Sequence, residues 1–253
     1  MHFEKLLVFD ISSEYGHFRK FNTTTSPLTY SIPSRPAITG LLGAILGIER
    51  EVSAGKYNEG VVPVSELFEK SKASISVQLL NPVKKVSIAF NLLDTEKTAS
   101  SFFNIKQRTQ IEFELLKHPC FRIFLCVEDD IIFNELVSRI KERRSYFTPY
   151  LGLSQFTATI QFQEVSKIKL LSAGYFQEVL TAINLSNADP DDPIQFNYSM
   201  EFKYNSDTMP VQMLKDRVVT EYSDIILETS GKSMMVKSDK IYQAEGFGNI
   251  LFL

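Results

Sequence analysis

Strict alternation of apolar and polar side chains is the feature that most constrains this chain. Val86, Ile88, Phe90 and Leu92 alternate with Lys85, Ser87, Ala89 and Asn91, and Ile111, Phe113 and Leu115 with Gln110, Glu112 and Glu114. Phe156, Ala158, Ile160 and Phe162 alternate in the same way with Thr157, Thr159, Gln161 and Gln163. A period of two sends successive side chains to opposite faces, so each stretch reads as a strand with one face inward and one wet, the habit of antiparallel sheets.

Two helical stretches interrupt the strands. Leu6 to Ile11 is an apolar run suited to a buried strand, and Ser34-Arg35-Pro36 then reads as a helix start, Ser34 capping and Pro36 in the first turn, with the helix running to about Glu49. Gly40, Gly43 and Gly47 share one face of it, which costs helix propensity unless something approaches the backbone closely, and tight helix-on-sheet packing is favoured over ligand binding as the reason. His118-Pro119 marks a turn before the strand Phe121 to Val127. Asp129-Asp130 open a second helix with Ile132, Phe133, Leu136, Val137 and Ile140 inward and a basic end at Arg143-Arg144. The order is β-α-β, an extra hairpin, then β-α-β.

That order predicts an α+β, ferredoxin-like (RRM-like) domain over residues 1–165 carrying a β-hairpin insertion at about 81–110. Beyond it we expect a short helix from Tyr175 to Asn184, an acidic loop from Asn187 to Pro193, and a strand through Phe196, Tyr198, Met200, Phe202 and Tyr204. Residues 166–253 thus read as a smaller β-rich C-terminal domain, closely packed because no flexible linker precedes it. Ferredoxin-like domains serve RNA binding, catalysis and regulation alike, so function has to come from a site.

Composition narrows the classes. The chain of 253 residues holds 27 Lys and Arg against 30 Asp and Glu, a net charge of −3, which argues against grip on nucleic acid through a general positive field. The acidity is local: residues 186–253 carry 6 basic against 11 acidic side chains, and residues 1–185 carry 21 against 19, so a polyanion should meet the N-terminal two-thirds. Cys120 and Cys126 lie six apart on one expected strand, roughly 20 Å between sulfurs, too far to pair. With His2, His17 and His118 they form no metal-ligand spacing, so no metal or cofactor is expected and a reducing cytoplasm is. The apolar run Ile38 to Ile48 is too short to span a membrane, and no dinucleotide fingerprint is present, since its glycines lie within a helix.

The connection from Ser12 to Pro33 is far longer than a strand-to-helix loop usually is. It holds Tyr15, His17, Phe18, Arg19, Lys20 and Phe21 among Ser and Thr, a mixture of stacking faces, cations and hydroxyls suited to single-stranded RNA; scattered aromatics tucked under a surface loop would give the same composition.

Tyr15-Gly16-His17-Phe18-Arg19, followed by the run from Pro33-Ser34-Arg35-Pro36 to Gly47, resembles the signature of the CRISPR-associated family numbered five, among the repeat-associated mysterious proteins (RAMP). The likeness continues through Asn81-Pro82-Val83-Lys84, Arg108-Thr109-Gln110 and Pro149 to Ser154, and the stretch Met209-Pro210 to Arg217 is similar to the type I-B branch. The resemblance implies a non-catalytic Cascade subunit that caps the five-prime handle of the crRNA. It implies a backbone subunit, the large PAM-reading subunit and target DNA near the PAM as partners, and a thumb-like hairpin. On this reading the RNA-binding residues are Tyr15, His17, Arg19 and Arg35, then Lys84, Lys85 and Arg108 on the thumb, and Tyr150 and Gly152 in a tight turn, with Arg143 and Arg144 as lesser candidates.

One branch of the family, in type I-C systems, cuts precursor guide RNA without metal using a tyrosine, a lysine and a histidine. Lys117-His118 invites that alternative, a metal-independent endoribonuclease, in which the histidine deprotonates a ribose hydroxyl and the lysine steadies the phosphorane. His118 precedes a proline at a turn, which favours a structural role.

Overall fold

The computed structural model describes residues 3–20, 26–53, 55–93, 108–171 and 174–253. The first part of the chain runs β1 (Lys5–Ser12), β2 (Tyr15–Gly16), α1 (Arg35–Leu46), α2 (Val64–Leu67), β3 (Ala73–Leu79), β4 (Lys85–Leu93), β5 (Arg108–Lys117), β6 (Cys120–Val127), α3 (Asp130–Lys141) and β7 (Thr159–Leu170). The remainder is β8 (Gln177–Val179), β9 (Ile183–Asn184), β10 (Ile194–Gln195), β11 (Tyr204–Met213), β12 (Val219–Glu228), β13 (Met234–Val236), β14 (Ile241–Ala244) and β15 (Gly248–Leu251).

The central sheet has the order β15-β14-β7-β1-β6-β3, with antiparallel neighbours throughout. β1 lies in its middle and is buried on both faces, which is why its sequence is a continuous apolar run rather than an alternation. Leu7, Phe9 and Ile11 enter the main core with α1 and α3, while Leu6 and Val8 face a second cluster with Phe124, Cys126, Ile250 and Phe252. Asp10 is tolerated there because Arg122 holds its carboxylate bidentately at 2.8 and 2.9 Å and Gln163 adds a third donor at 2.8 Å. β3, which the sequence reading leaves unplaced, is the edge strand beside β6. β4 and β5 pair from Lys85 opposite Leu116 to Leu93 opposite Arg108, and the expected thumb's middle, residues 94–107, lies outside the described residues.

Both helices expected before residue 165 form. Asp129 caps α3 by accepting from the N–H groups of Ile131 and Ile132, worth about 1 kcal/mol, and Phe133, Leu136 and Ile140 are buried beneath it. α1 differs at its ends. Ser34 makes no side-chain cap bond, and the helix stops at Leu46 rather than Glu49 because Gly47 adopts φ +82°, the left-handed conformation of a helix stop. Its glycines therefore do different work. A β-carbon on Gly43 would meet Val64 at 2.9 Å and one on Gly47 would meet the Tyr146 ring at 2.5 Å, whereas Gly40 faces open space.

Two expectations for the C-terminal part are corrected. The segment 175–184 forms β8 and β9 rather than a helix, and 196–203 is a turn-rich loop, with the strand beginning only at Tyr204. Apolar alternation continues through that loop, but Tyr198 and Met200 are 92% and 97% exposed, so it reflects no buried face. The 165/166 boundary falls inside β7, and β14 pairs with β7, so the C-terminal part extends the central sheet. Met209, Val211, Ile225 and Leu227 of β11 and β12 also join the main core.

A candidate RNA-binding groove and the strap beside it

The described residues of the long connection after β1 form a strap. β2 pairs with β5, Tyr15 opposite Lys117 and Gly16 opposite Leu116. The chain then folds back on itself: Tyr30 N–H donates to the Phe18 carbonyl at 2.8 Å, and Lys20 N–H to that of Leu28 at 2.8 Å. Phe18 is buried in the main core, and Lys20 pairs with Asp207 of β11. Phe21 and the Thr residues after it, at 21–25, lie outside the described residues.

Next to this strap a groove of about 780 Å³ opens along α1. One wall is the N-terminal half of the helix, with Pro36, Ala37 and Gly40; the open side of Gly40 gives onto it. Another side is the segment after α3, where Tyr146 and Phe147 donate backbone N–H groups to the Ile45 and Ala44 carbonyls at 3.2 and 2.9 Å, so that Phe147, Tyr150 and Gly152 line the groove. Tyr57 from the loop after α1 and the turn between β11 and β12 also line it. Tyr57 donates its hydroxyl to the Lys215 carbonyl at 3.3 Å, and Arg217 pairs with Glu51 at 2.6 Å, so loop and turn are tied together.

The groove thus combines apolar side chains, aromatic rings from Tyr57, Phe147 and Tyr150, and the exposed cations Arg50, Lys215 and Arg217, of which Arg217 is paired with Glu51 and Lys215 with Glu66 at 3.8 Å, with Glu49 also in the lining. It suits a flat apolar ring bearing an anionic tail, the outline of an unpaired nucleotide. Sequence reading missed Arg50, Tyr57 and Lys215, and it quoted Arg217 only for its branch resemblance. The one available signal was that Arg217 is the single arginine of the acidic stretch 186–253.

The residues singled out from the sequence are distributed as follows. Tyr150 and Gly152 line the groove, and Arg35 reaches it from the interior. Arg35 is buried, its guanidinium donating to the Phe68 and Ala73 carbonyls at 2.8 and 2.9 Å; burial lowers its pKa to about 10, with Glu221 opposing the shift. His17 is also buried, with Nδ1 against the Glu114 carbonyl at 2.8 Å and the ring edge-on to Phe113. That carbonyl accepts only from an Nδ1–H, so Nε2 is the bare nitrogen, without a partner among the described residues. Tyr15 is half-buried against Phe156, and Arg19 is exposed on the strap opposite Thr29. Lys84 is exposed, whereas the Lys85 ammonium donates to the Thr29 carbonyl at 2.8 Å and Glu114 at 3.0 Å, fastening the strap to the hairpin. Arg108 is placed by its backbone alone, opposite Leu93, and its side chain lies outside the described residues. Arg143 is exposed at φ +56°, and Arg144 pairs with Glu142.

Comparison with known proteins decides the family. Residues 6–223 match the family model described as CRISPR-associated protein (Cas_Cas5). The chain belongs to the Cas5 family. No curated protein matches it in sequence. Among solved structures, this Cas5 protein is similar to a chain of a "CRISPR RNA-guided surveillance complex" at 13% identity and TM-score 0.47, covering 92% of this chain and 91% of that one. It is similar to a chain of a type III-B Cmr-beta complex bound to cognate target RNA at 12% identity and TM-score 0.49, covering 90% and 86%. A third, described as a Cas protein, is 13% identical at TM-score 0.46, covering 92% and 96%. No described helix of the Cas5 chain is long and apolar enough to cross a membrane.

Proposed function

We propose that this Cas5 chain is the non-catalytic subunit of a cytoplasmic type I surveillance complex, of the I-B branch, that holds and caps the five-prime handle of the crRNA. A backbone subunit and the large PAM-reading subunit pack around it, beside target DNA near the PAM. The observation that carries this reading is the groove along α1: aromatic faces stack unpaired bases, and Arg50, Lys215 and Arg217 meet phosphates. The strand order β7-β1-β6-β3, with α1 and α3 in the two crossovers, supports a ferredoxin-like domain, and the β4–β5 pair supports the thumb. The strap, with Tyr15 and Arg19, and the thumb, with Lys84 and Arg108, extend the RNA path beyond the groove. His17, Arg35 and Lys85 shape that path from beneath.

The test is retention of guide RNA by the assembled complex. Tyr150→Ala combined with Arg217→Ala should lower the crRNA recovered per folded Cas5 by at least about tenfold; unchanged recovery would remove the groove from the RNA path.

One observation favours a second reading, cleavage of precursor RNA. The β2–β5 ladder sets Tyr15 opposite Lys117, with the exposed His118 next to it at φ +49°. Against it, the His118 backbone is committed to the turn, its N–H donating to the Glu14 carbonyl at 2.7 Å and its own carbonyl accepting from Asn81 at 3.1 Å. Incubating the purified chain with repeat RNA in chelator separates the readings: the non-catalytic subunit leaves it intact, and cleavage abolished by His118→Ala would establish the nuclease.

A further inference from the structure

We infer that Lys215 and Arg217, beside Tyr57, form a phosphate subsite that the free chain fills with its own Glu51 carboxylate, which a phosphate of the guide RNA displaces on binding; this rests on the groove reading above. Glu51, Tyr57, Lys215 and Arg217 all line the groove.

The turn that carries both cations is built at a backbone cost. Arg217 N–H donates to the Leu214 carbonyl at 3.0 Å and Leu214 N–H to the Val218 carbonyl at 2.9 Å, which makes a three-residue hairpin turn of Lys215, Asp216 and Arg217. Such a turn needs a left-handed residue at its third position, ordinarily glycine, and here Arg217 takes it at φ +65°. Holding an arginine there costs about as much as an exposed ion pair returns, so pairing with Glu51 is not a sufficient reason for it.

The pair is unequal. The Glu51 side chain is only 15% exposed and sits in its own loop, Oε2 accepting the Gly55 N–H at 3.2 Å and Oε1 meeting Arg217 Nε at 2.6 Å, whereas Arg217 is 53% exposed. Tyr57 lies in the field of both charges: burial first and Glu51 second raise the pKa of its hydroxyl, and Arg217 opposes them. Lys215, 3.8 Å from Glu66 and half-exposed, is held more loosely still.

A carboxylate and a phosphate offer a guanidinium the same kind of acceptor. A nucleotide whose base stacks on Tyr57 brings its phosphate to cations that already border the groove, and it has to break the Arg217–Glu51 pair to reach them. Glu51 therefore works against RNA binding, and an ion pair this exposed is weak enough to be exchanged.

The experiment is a mutant cycle on the full chain, read as affinity for a single-stranded RNA of the repeat-derived five-prime handle at low salt and scaled to folded protein. Glu51→Gln keeps the shape and the acceptor for Gly55 while removing the charge, so it should bind about three- to tenfold tighter than wild type. Arg217→Ala should bind more weakly than wild type, and in that background Glu51→Gln should change affinity by less than about twofold, since no ion pair is left to break. Affinity of Glu51→Gln equal to wild type would overturn the inference, and so would a lower one, which makes Glu51 a positioning residue for Arg217. A gain of the same size in both backgrounds would also overturn it, because net charge alone would account for it. In each of these cases a weakened Arg217→Ala leaves the groove reading standing. Arg217→Ala binding like wild type, or no binding by any of the four proteins, would overturn that reading and the subsite with it.

Discussion

Gly152 lies against the backbone of His17 with no room for a side chain: a β-carbon there would stand 1.7 Å from the His17 carbonyl oxygen. The neighbouring Leu151 carbonyl accepts the His17 N–H at 3.0 Å, so the turn that lines the groove and the strap that flanks it are one structural unit. Gly152 also holds φ +87°, where a β-carbon is strained whatever the space. Gly152→Ala should therefore cost about 3–5 kcal/mol, strain and clash together, and leave the chain poorly soluble or markedly lower in melting temperature. A melting temperature equal to wild type would contradict the close approach.

The buried His17 ring gives the fold a pH dependence. Burial is the main cause holding its pKa below the ordinary 6.5; the Glu114 carbonyl opposes it and the charge of Arg19 adds to it. The unfolded chain takes up this proton near pH 6.5 while the folded chain resists, so the contribution is fully present above that pH and is lost as pH falls toward the lowered folded pKa. Melting temperatures measured across this window should fall with pH in wild type and fall less in His17→Asn, which keeps a donor for Glu114 and cannot titrate. Parallel curves for the two proteins would contradict the assignment.

Arg35 separates stability from RNA binding. Arg35→Ala strands the Phe68 and Ala73 carbonyls inside the protein and should destabilise it by about 3 kcal/mol or more, measured by denaturant titration. Guide-RNA retention scaled to folded protein should be unchanged, and a selective loss of RNA would make Arg35 a direct contact.

Much of the fold was legible because its signals are local. Alternation marked β4, β5 and β7, and Asp129 marked the start of α3 with the capping it performs. The failures came where a local pattern lacked a tertiary partner. The alternation through Phe196 to Tyr204 meets no sheet until Tyr204, and the apolar residues of 175–184 belong to short strands fixed by pairing with β12 and β13. Of the site, Tyr150 and Gly152 were legible only through the family resemblance, as a tight turn; its contact with the strap was not. The groove was not, because Arg50, Tyr57 and Arg217 come from segments far apart in sequence that only the closed fold brings together. His17 and Arg35 have the chemistry of RNA contacts, but burial, which composition does not report, turned them inward.

Arg19, exposed on the strap, tests the RNA path outside the groove. One charge-assisted phosphate contact is worth about 1.5–3 kcal/mol, so Arg19→Ala should weaken handle retention, scaled to folded protein, roughly ten- to a hundredfold. A lower melting temperature with unchanged retention would make it a tether of the strap.

Ultraviolet cross-linking of the assembled complex, read by mass spectrometry, shows whether the groove along α1 holds the handle of the guide RNA. Adducts are expected between repeat-derived five-prime nucleotides and Tyr57, Phe147 or Tyr150. Adducts that leave these rings unmodified, or that join them to spacer-derived nucleotides, would contradict it.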